Sequence, residues 1–215
     1  MPRIDKFPLA ASGWPYLLGY LFLAVVATAL CVWWMAIPLW LLSGFIAFFF
    51  RDPARDAFAP AGSVLSPADG RVVVVEEVDA PEMPEGRALM VSVFMSVFNV
   101  HVNRVPVSGL VQSVEYKTGA FVNAAHRDAS HSNERIEVVL EDADGNVIKV
   151  AQVAGLVARK IECRLIPGEK VQQGHRFGMI RFGSRLDVYF PLGSNVLVSR
   201  GQRVKAGISV LGELA

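Results

Sequence analysis

Gly168-Glu169-Lys170-Val171-Gln172-Gln173-Gly174 returns 33 residues later as Gly201-Gln202-Arg203-Val204-Lys205-Ala206-Gly207, and both follow the pattern G-x-x-V-x-x-G. A valine anchored inward between glycines that permit tight corners is a turn expected of small β-barrels and of the paired hairpins of lipoyl- and biotinyl-like domains. Two copies make a pseudo-repeat rather than a solenoid. Outward from these turns, the chain beyond Arg51 consists of short Val/Ile-rich runs broken by Gly, Pro and Asp. They read as strands over residues 70–77, 88–94, 110–116, 136–140, 147–153, 158–165, 185–190 and 195–198. Asp142-Ala143-Asp144-Gly145 begins like a calcium loop but lacks the later ligands and lies between two strands, so it reads as a hairpin turn. The expected fold is mainly β: a compact β-barrel or sandwich body with lipoyl-like hairpin repeats, preceded by an N-terminal α-helical membrane hairpin.

The leader accounts for an unusual composition. The chain has 215 residues, 53% of them hydrophobic and 19% charged, with a mean hydropathy of +0.38. That is too apolar for disorder and more apolar than a soluble enzyme needs. Residues 13–50 are thirty-eight positions without a formal charge, whereas one spanning helix needs about 20. A hairpin is therefore expected, either crossing twice or dipping in as a shallow re-entrant loop, with the tip near residues 35–38 at Pro38 and a second arm over residues 39–50, whose twelve residues fall short of the hydrocarbon core. Trp33, Trp34 and Trp40 would sit at the far interface, and Trp14 and Tyr16 at the near one. Arg3 and Lys6 before the segment and Arg51 and Arg55 after it place both ends in the cytoplasm by the positive-inside rule. The expected domains are thus residues 1–50, the membrane hairpin, and 51–215, the β-rich body. Without Arg3, Lys6 and Asp5, the 21 basic and 20 acidic residues fall to 19 of each, which argues against a nucleic-acid partner. Cys31 and Cys163 lie in very different surroundings and build neither a disulfide framework nor a zinc site, so no metal is expected.

Three places carry chemistry. Gly183-Ser184 stands immediately before a strand. Asp69, in Ser66-Pro67-Ala68-Asp69-Gly70, stands at the mouth of another, a common place for an acid on a rigid scaffold. In Asn99-Val100-His101-Val102-Asn103-Arg104-Val105-Pro106 the two-residue period puts His101, Asn103 and Val105 on one face with Asn99 in phase, and a histidine among valines needs a polar partner. His126 and His131 read as a solvated loop, and His175 as a surface residue of the repeat turn.

Together these pieces resemble the phosphatidylserine decarboxylase family in its short bacterial, membrane-anchored form. The likeness spans nearly the whole chain: the apolar leader closed by Phe48-Phe49-Phe50-Arg51-Asp52-Pro53, the Pro67-Ala68-Asp69-Gly70 turn, the His101 segment, Asn133-Glu134-Arg135, and Arg181-Phe182-Gly183-Ser184-Arg185. The resemblance implies a proenzyme that cuts its own backbone between Gly183 and Ser184, giving a β chain of residues 1–183 and an α chain of 184–215. Ser184 would become a covalent pyruvoyl group by attack on the Gly183 carbonyl, an N-to-O acyl shift, elimination and hydrolysis. Phosphatidylserine would then be decarboxylated to phosphatidylethanolamine through a Schiff base. It further implies His101 as base or proton donor, Asp69 orienting or replacing it, and Arg104, Arg181 and Arg185 near the lipid phosphate.

The implied partners are the phospholipid, the membrane, the two cleaved chains and, left open, a second copy in a homo-oligomer. The implied location is the inner membrane, with the body on the cytoplasmic side. Two departures from the long form matter: Arg104 replaces a second histidine, and Asn99 replaces an aspartate, leaving Asp69 as the acid partner. Leu192-Gly193-Ser194-Asn195 shares the first three residues of the long form's L-G-S-T cleavage motif and keeps Ser194 as a minority site. The alternatives are a non-enzymatic, membrane-anchored lipoyl-like adaptor, and the same chemistry on another serine phospholipid such as archaetidylserine.

Overall fold

A computed structural model describes residues 8–122, 129–156, 160–181 and 183–215. The chain separates into two compact units, one ending at Ala54 and the other beginning at Arg55.

In the first unit, α1 (Trp14–Ala29) and α2 (Trp33–Phe49) form an antiparallel pair. The pair is closed at its base by Ala10 N–H to the Phe50 carbonyl at 2.7 Å and Asp52 N–H to the Pro8 carbonyl at 2.7 Å. Buried Ala24, Ala27, Ala36 and Ser43 let the pair pack closely, while Leu18, Phe22, Leu30, Trp34 and Leu41 stay exposed. The helical stretch Ala11–Ala29 is long and apolar enough to cross a membrane; α2, with 17 residues, is about 26 Å long. The expected tip is corrected. The chain reverses at residues 30–32, where Cys31 takes φ 55°, and Pro38 lies inside α2. The second arm is accordingly longer than residues 39–50. Proline removes one backbone donor, a loss that apolar helices tolerate when neighbouring groups re-satisfy the freed carbonyl.

The second unit contains β1 (Ser63–Leu65), β2 (Gly70–Asp79), β3 (Arg87–Met95), β4 (Val102–Arg104), β5 (Gly109–Lys117), the short helix α3 (Ala129–Ser132), β6 (Arg135–Glu141) and β7 (Val147–Val153). It continues with β8 (Ile161–Cys163), β9 (Lys170–Val171), β10 (Arg176–Ile180), β11 (Ser184–Phe190), β12 (Asn195–Val196), β13 (Arg203–Val204) and β14 (Val210–Glu213). Eight strands make one curled antiparallel sheet in the order β13-β2-β3-β11-β7-β6-β5-β9, and two smaller sheets follow the orders β1-β14-β12 and β4-β10-β8. Val72, Val91, Val93, Val138, Leu140, Ile148, Val150, Leu186, Val188 and Phe190 face one shared core.

The long sheet reads the same from both ends because the body is built twice. β2, β3, β11 and β13 correspond to β5, β6, β7 and β9, and β1, β12 and β14 to β4, β8 and β10. The correspondence reaches single hydrogen bonds. Gly201 N–H reaches the Val72 carbonyl at 2.8 Å and Val72 N–H the Gln202 carbonyl at 2.9 Å; Gly168 N–H reaches Val111 at 2.8 Å and Val111 N–H reaches Glu169 at 2.9 Å. A bulge follows Val72 in β2 and Val111 in β5 alike. The G-x-x-V-x-x-G turns supply the two edge strands, β9 and β13. The second half is inserted between β3 and β11 of the first. β6 and β7 are joined by the tight Asp142–Asn146 hairpin, in which Asp142 Oδ1 accepts from the Asp144 and Asn146 amides. The corresponding β3-to-β11 turn is opened, so Gly183 (φ 63°) occupies the place of Gly145 (φ 84°) and Ser184 that of Asn146.

Candidate active site

Ser184 begins β11, paired with Met95 at the end of β3 and fully buried. It shares its face with Leu186 and Val188, so the hydroxyl points toward the core. Its Oγ has no hydrogen-bond partner among the described residues. A buried hydroxyl without a partner carries a desolvation cost, and such an atom in a native fold calls for an explanation. Gly183, in the left-handed region, meets nothing on the side where a Cβ would project, so its carbonyl carbon is not shielded by a side chain of its own. Ser194 differs. Its Oγ donates to the Pro191 carbonyl at 2.8 Å, closing a local turn.

His101 reaches this end of the sheet through a short turn. Directly after Met95, Asn99 Oδ1 accepts from the Ser96 amide at 2.9 Å and from the Ser96 hydroxyl at 2.8 Å, and the chain then enters β4. His101 is fully buried, with Nδ1 2.9 Å from the Asn99 carbonyl. A carbonyl only accepts, so in the neutral ring the proton sits on Nδ1 and the lone pair on Nε2. Asn103 and Arg104 follow on β4, both buried.

Asp69 stands at the start of β2, at the end of β3 where Met95 pairs with Ser184. Arg55 grips its carboxylate with two nitrogens at 2.5 and 2.8 Å, and the Ala206 amide donates to Oδ1 at 2.8 Å. Arg55 also donates to the Ala206 carbonyl at 2.7 Å. Asp69 therefore ties the start of β2 to the second repeat turn. Arg55, noted in the sequence only as a flanking charge, is its partner.

The three arginines differ in what they offer an anion. Arg104 donates to the Gly174 carbonyl at 2.9 Å and lies buried where the last glycines of the two repeat turns meet. Arg181 remains partly exposed and pairs with Glu162 at 2.5 Å. Arg185 corrects the sequence reading. It is 0% exposed, on the face opposite Ser184, with Nε on Asp187 Oδ1 at 2.5 Å and a second nitrogen on the Ser130 hydroxyl, which itself donates to Asp187 at 2.6 Å. A guanidinium so enclosed presents no surface to a lipid phosphate.

The same outer face continues into Lys149, Glu137, Lys117 and Glu82. Burial alone would raise the Glu82 carboxyl, but hydrogen bonds from its own backbone, Lys117 and Lys149 bring it down to about 2. Glu137 behaves likewise: hydrogen bonds from Lys117 and Arg135 outweigh burial and hold it below the usual range.

Among the described residues no cluster of His, Cys, Asp and Glu is arranged to hold a metal ion. His175 is exposed, as expected, and His126 lies outside the described residues. One polar residue of the inner face escaped notice in the sequence. Gln152 follows Ile148 and Val150 at the two-residue period, so a polar residue on an apolar face was the available signal.

Residues 42–212 match the family described as phosphatidylserine decarboxylase. The chain is 50% identical over 206 residues to a phosphatidylserine decarboxylase proenzyme of Ralstonia nicotianae, covering 96% of this chain and 95% of that one. It is 48% identical over 207 residues to the proenzyme of Cupriavidus taiwanensis, covering 96% and 95%, and 46% identical over 205 residues to that of Nitrosomonas europaea, covering 95% and 94%.

Proposed function

The chain belongs to the phosphatidylserine decarboxylase family, and from that premise we propose that it is a self-cleaving proenzyme whose mature form converts phosphatidylserine to phosphatidylethanolamine at a membrane. The observation that carries the reading is the buried, unpartnered Ser184 Oγ beside a left-handed Gly183. These residues fit a pyruvoyl group at position 184, because the hydroxyl needed to make it is already desolvated next to an accessible carbonyl. When present, that group supplies an electron sink for loss of carbon dioxide from an amino acid.

The chain's own residues divide the remaining work. Ser184 attacks Gly183 and the chain parts into residues 1–183 and 184–215. His101, with Nδ1 fixed on Asn99, presents Nε2 as the base that takes the hydroxyl proton and later as the acid that returns one to the substrate's α carbon. Asp69, both oxygens engaged, orients the β2 and β13 ends of the site rather than moving protons. Arg181, braced by Glu162, is the arginine placed to meet the lipid phosphate. The α1–α2 pair lies in the bilayer, with basic residues on the cytoplasmic side of the inner membrane, so that headgroups enter from the interface.

Denaturing mass spectrometry of the purified protein tests the reading. Two chains breaking before residue 184, the smaller trapped by borohydride or hydroxylamine, support it. One unbroken chain under active conditions overturns it and favours the adaptor. Ser184→Ala is expected to stay whole and inactive.

A further inference from the structure

The inserted half and its counterpart form an internal control, since corresponding residues have the same backbone setting. Gln152 and Phe190 correspond, as do Asn103 and Val64. Asn103 pairs with Gly178 as Val64 pairs with Gly212. A Cβ at Gly178 would lie 2.8 Å from Gln152 Nε2, and one at Gly212 would lie 3.1 Å from a ring carbon of Phe190. One half therefore fills this place with apolar Val64 and Phe190, and the other with two amides, all of them fully buried. Folding does not demand amides here. Gln152 Nε2 donates to Asn103 Oδ1 at 2.8 Å and to the Glu162 carbonyl at 3.2 Å, which fixes the amide and leaves Oε1 facing away from both. That oxygen has no hydrogen-bond partner among the described residues.

Gln152 lies opposite Leu186, and Ser184 is two residues earlier on the same face of β11. The two side chains are thus diagonal neighbours, with Cα atoms about 7–8 Å apart. One is a buried donor lacking an acceptor and the other a buried acceptor lacking a donor. We propose that Gln152 is a positioning residue for self-cleavage: its Oε1, aimed by Asn103, accepts the Ser184 hydroxyl proton in a hydrogen bond and so turns the oxygen lone pair toward the Gly183 carbonyl.

The amide does not remove the proton; it orients the hydroxyl before attack, and the proton passes from Oγ to His101 Nε2 as the Oγ–C bond forms. In the step served, the Oγ–C bond to Gly183 forms, the Gly183–Ser184 C–N bond breaks, and the proton leaving Oγ is balanced by one arriving on the nitrogen. The shift is an isomerisation without oxidant or co-reactant. This inference rests on Ser184 being the cleaving residue.

The test follows cleavage of full-length chains made by cell-free synthesis in the presence of phospholipid bilayers, by denaturing mass spectrometry over time. Gln152→Leu, which imitates the apolar half, is expected to fold and to cleave about three- to tenfold more slowly, the loss of one neutral hydrogen bond. Gln152→Glu keeps an acceptor and makes it titratable, so its cleavage rate should rise with pH through carboxylate ionisation, a dependence a purely structural side chain would not create. Cleavage of Gln152→Leu at the unmodified rate, or a Gln152→Glu pH profile parallel to that of the unmodified chain, overturns the inference. If Gln152→Leu lacks a cooperative thermal transition, Gln152→Met, of nearly equal volume, carries the same comparison. Ser184→Ala is run alongside. Continued cleavage there removes the premise, whereas an intact Ser184→Ala beside a normally cleaving Gln152→Leu removes only the role of Gln152.

Discussion

Arg185→Leu separates two meanings of an arginine beside the cleavage site. The guanidinium and its Asp187 partner are both fully buried, and removal of Arg185 leaves the carboxylate with the Ser130 hydroxyl at 2.6 Å. Breaking a buried pair on one side costs about 3–5 kcal/mol, because the remaining charge has lost its compensation. For a chain of this size that lowers the melting temperature by about 6–20 °C. Removing both charges, as in Arg185→Met with Asp187→Leu, recovers most of the loss, because an apolar replacement of similar volume is often close to neutral. Calorimetry or circular-dichroism melts of detergent-solubilised protein read the shift, with a double-mutant cycle apportioning it. If Arg185→Leu melts within about 2 °C of the unmodified protein while KM for the lipid rises about tenfold, the buried-pair reasoning fails and Arg185 contacts substrate after all.

Ser194→Ala is expected to cleave and turn over normally, measured by chain masses and carbon dioxide release, because its hydroxyl only closes a turn; an uncleaved product would move the site to residue 194. His101→Ala should lose turnover by about 100-fold or more, as removal of a general acid-base group does, and full activity would remove it from the mechanism. Arg181→Gln should raise KM more than it lowers kcat, and a pure kcat loss would contradict a binding role. Glu82, lowered from 4.5 to about 2, contributes stability that is present above pH 4.5 and lost as pH falls toward 2. Its side chain is 38% exposed, so after solvent screening the contribution is about 1 kcal/mol. Urea titrations of Glu82→Gln should show that deficit at pH 7 and its shrinkage in acid; a deficit constant with pH would contradict the ion-pair origin.

How much of this was legible varies with the physics of each element. The strand at residues 147–153 was read with its observed bounds because a Val-rich run of seven, buried at all but its first position, lies between the Asp142–Asn146 turn and Gly155. β9 and β13 are two residues each and exist only through pairing with β5 and β2, so they left a turn motif but no strand signal. The helix reversal at Cys31 has no glycine, proline or asparagine to mark it, and Pro38, the strongest local breaker in the leader, drew the expected tip from residues 30–32 to 35–38. Ser184, Gly183 and His101 stood out through motif and setting. Arg185 did not reveal its burial, although Asp187 two positions on shares its face, because alternation reports which side a residue faces and not what covers that side.

The insertion of one half into the other decides what a broken chain would look like. If the backbone parts before Ser184, the short product keeps β11 laced between β3 and β7, β13 along β2 and β14 along β1, every one of those neighbours belonging to the long product. The scission then resembles a nick in a duplex whose opposite strands splint it. The fresh chain end is freed to react, while the two pieces stay interleaved and part only when the whole body melts.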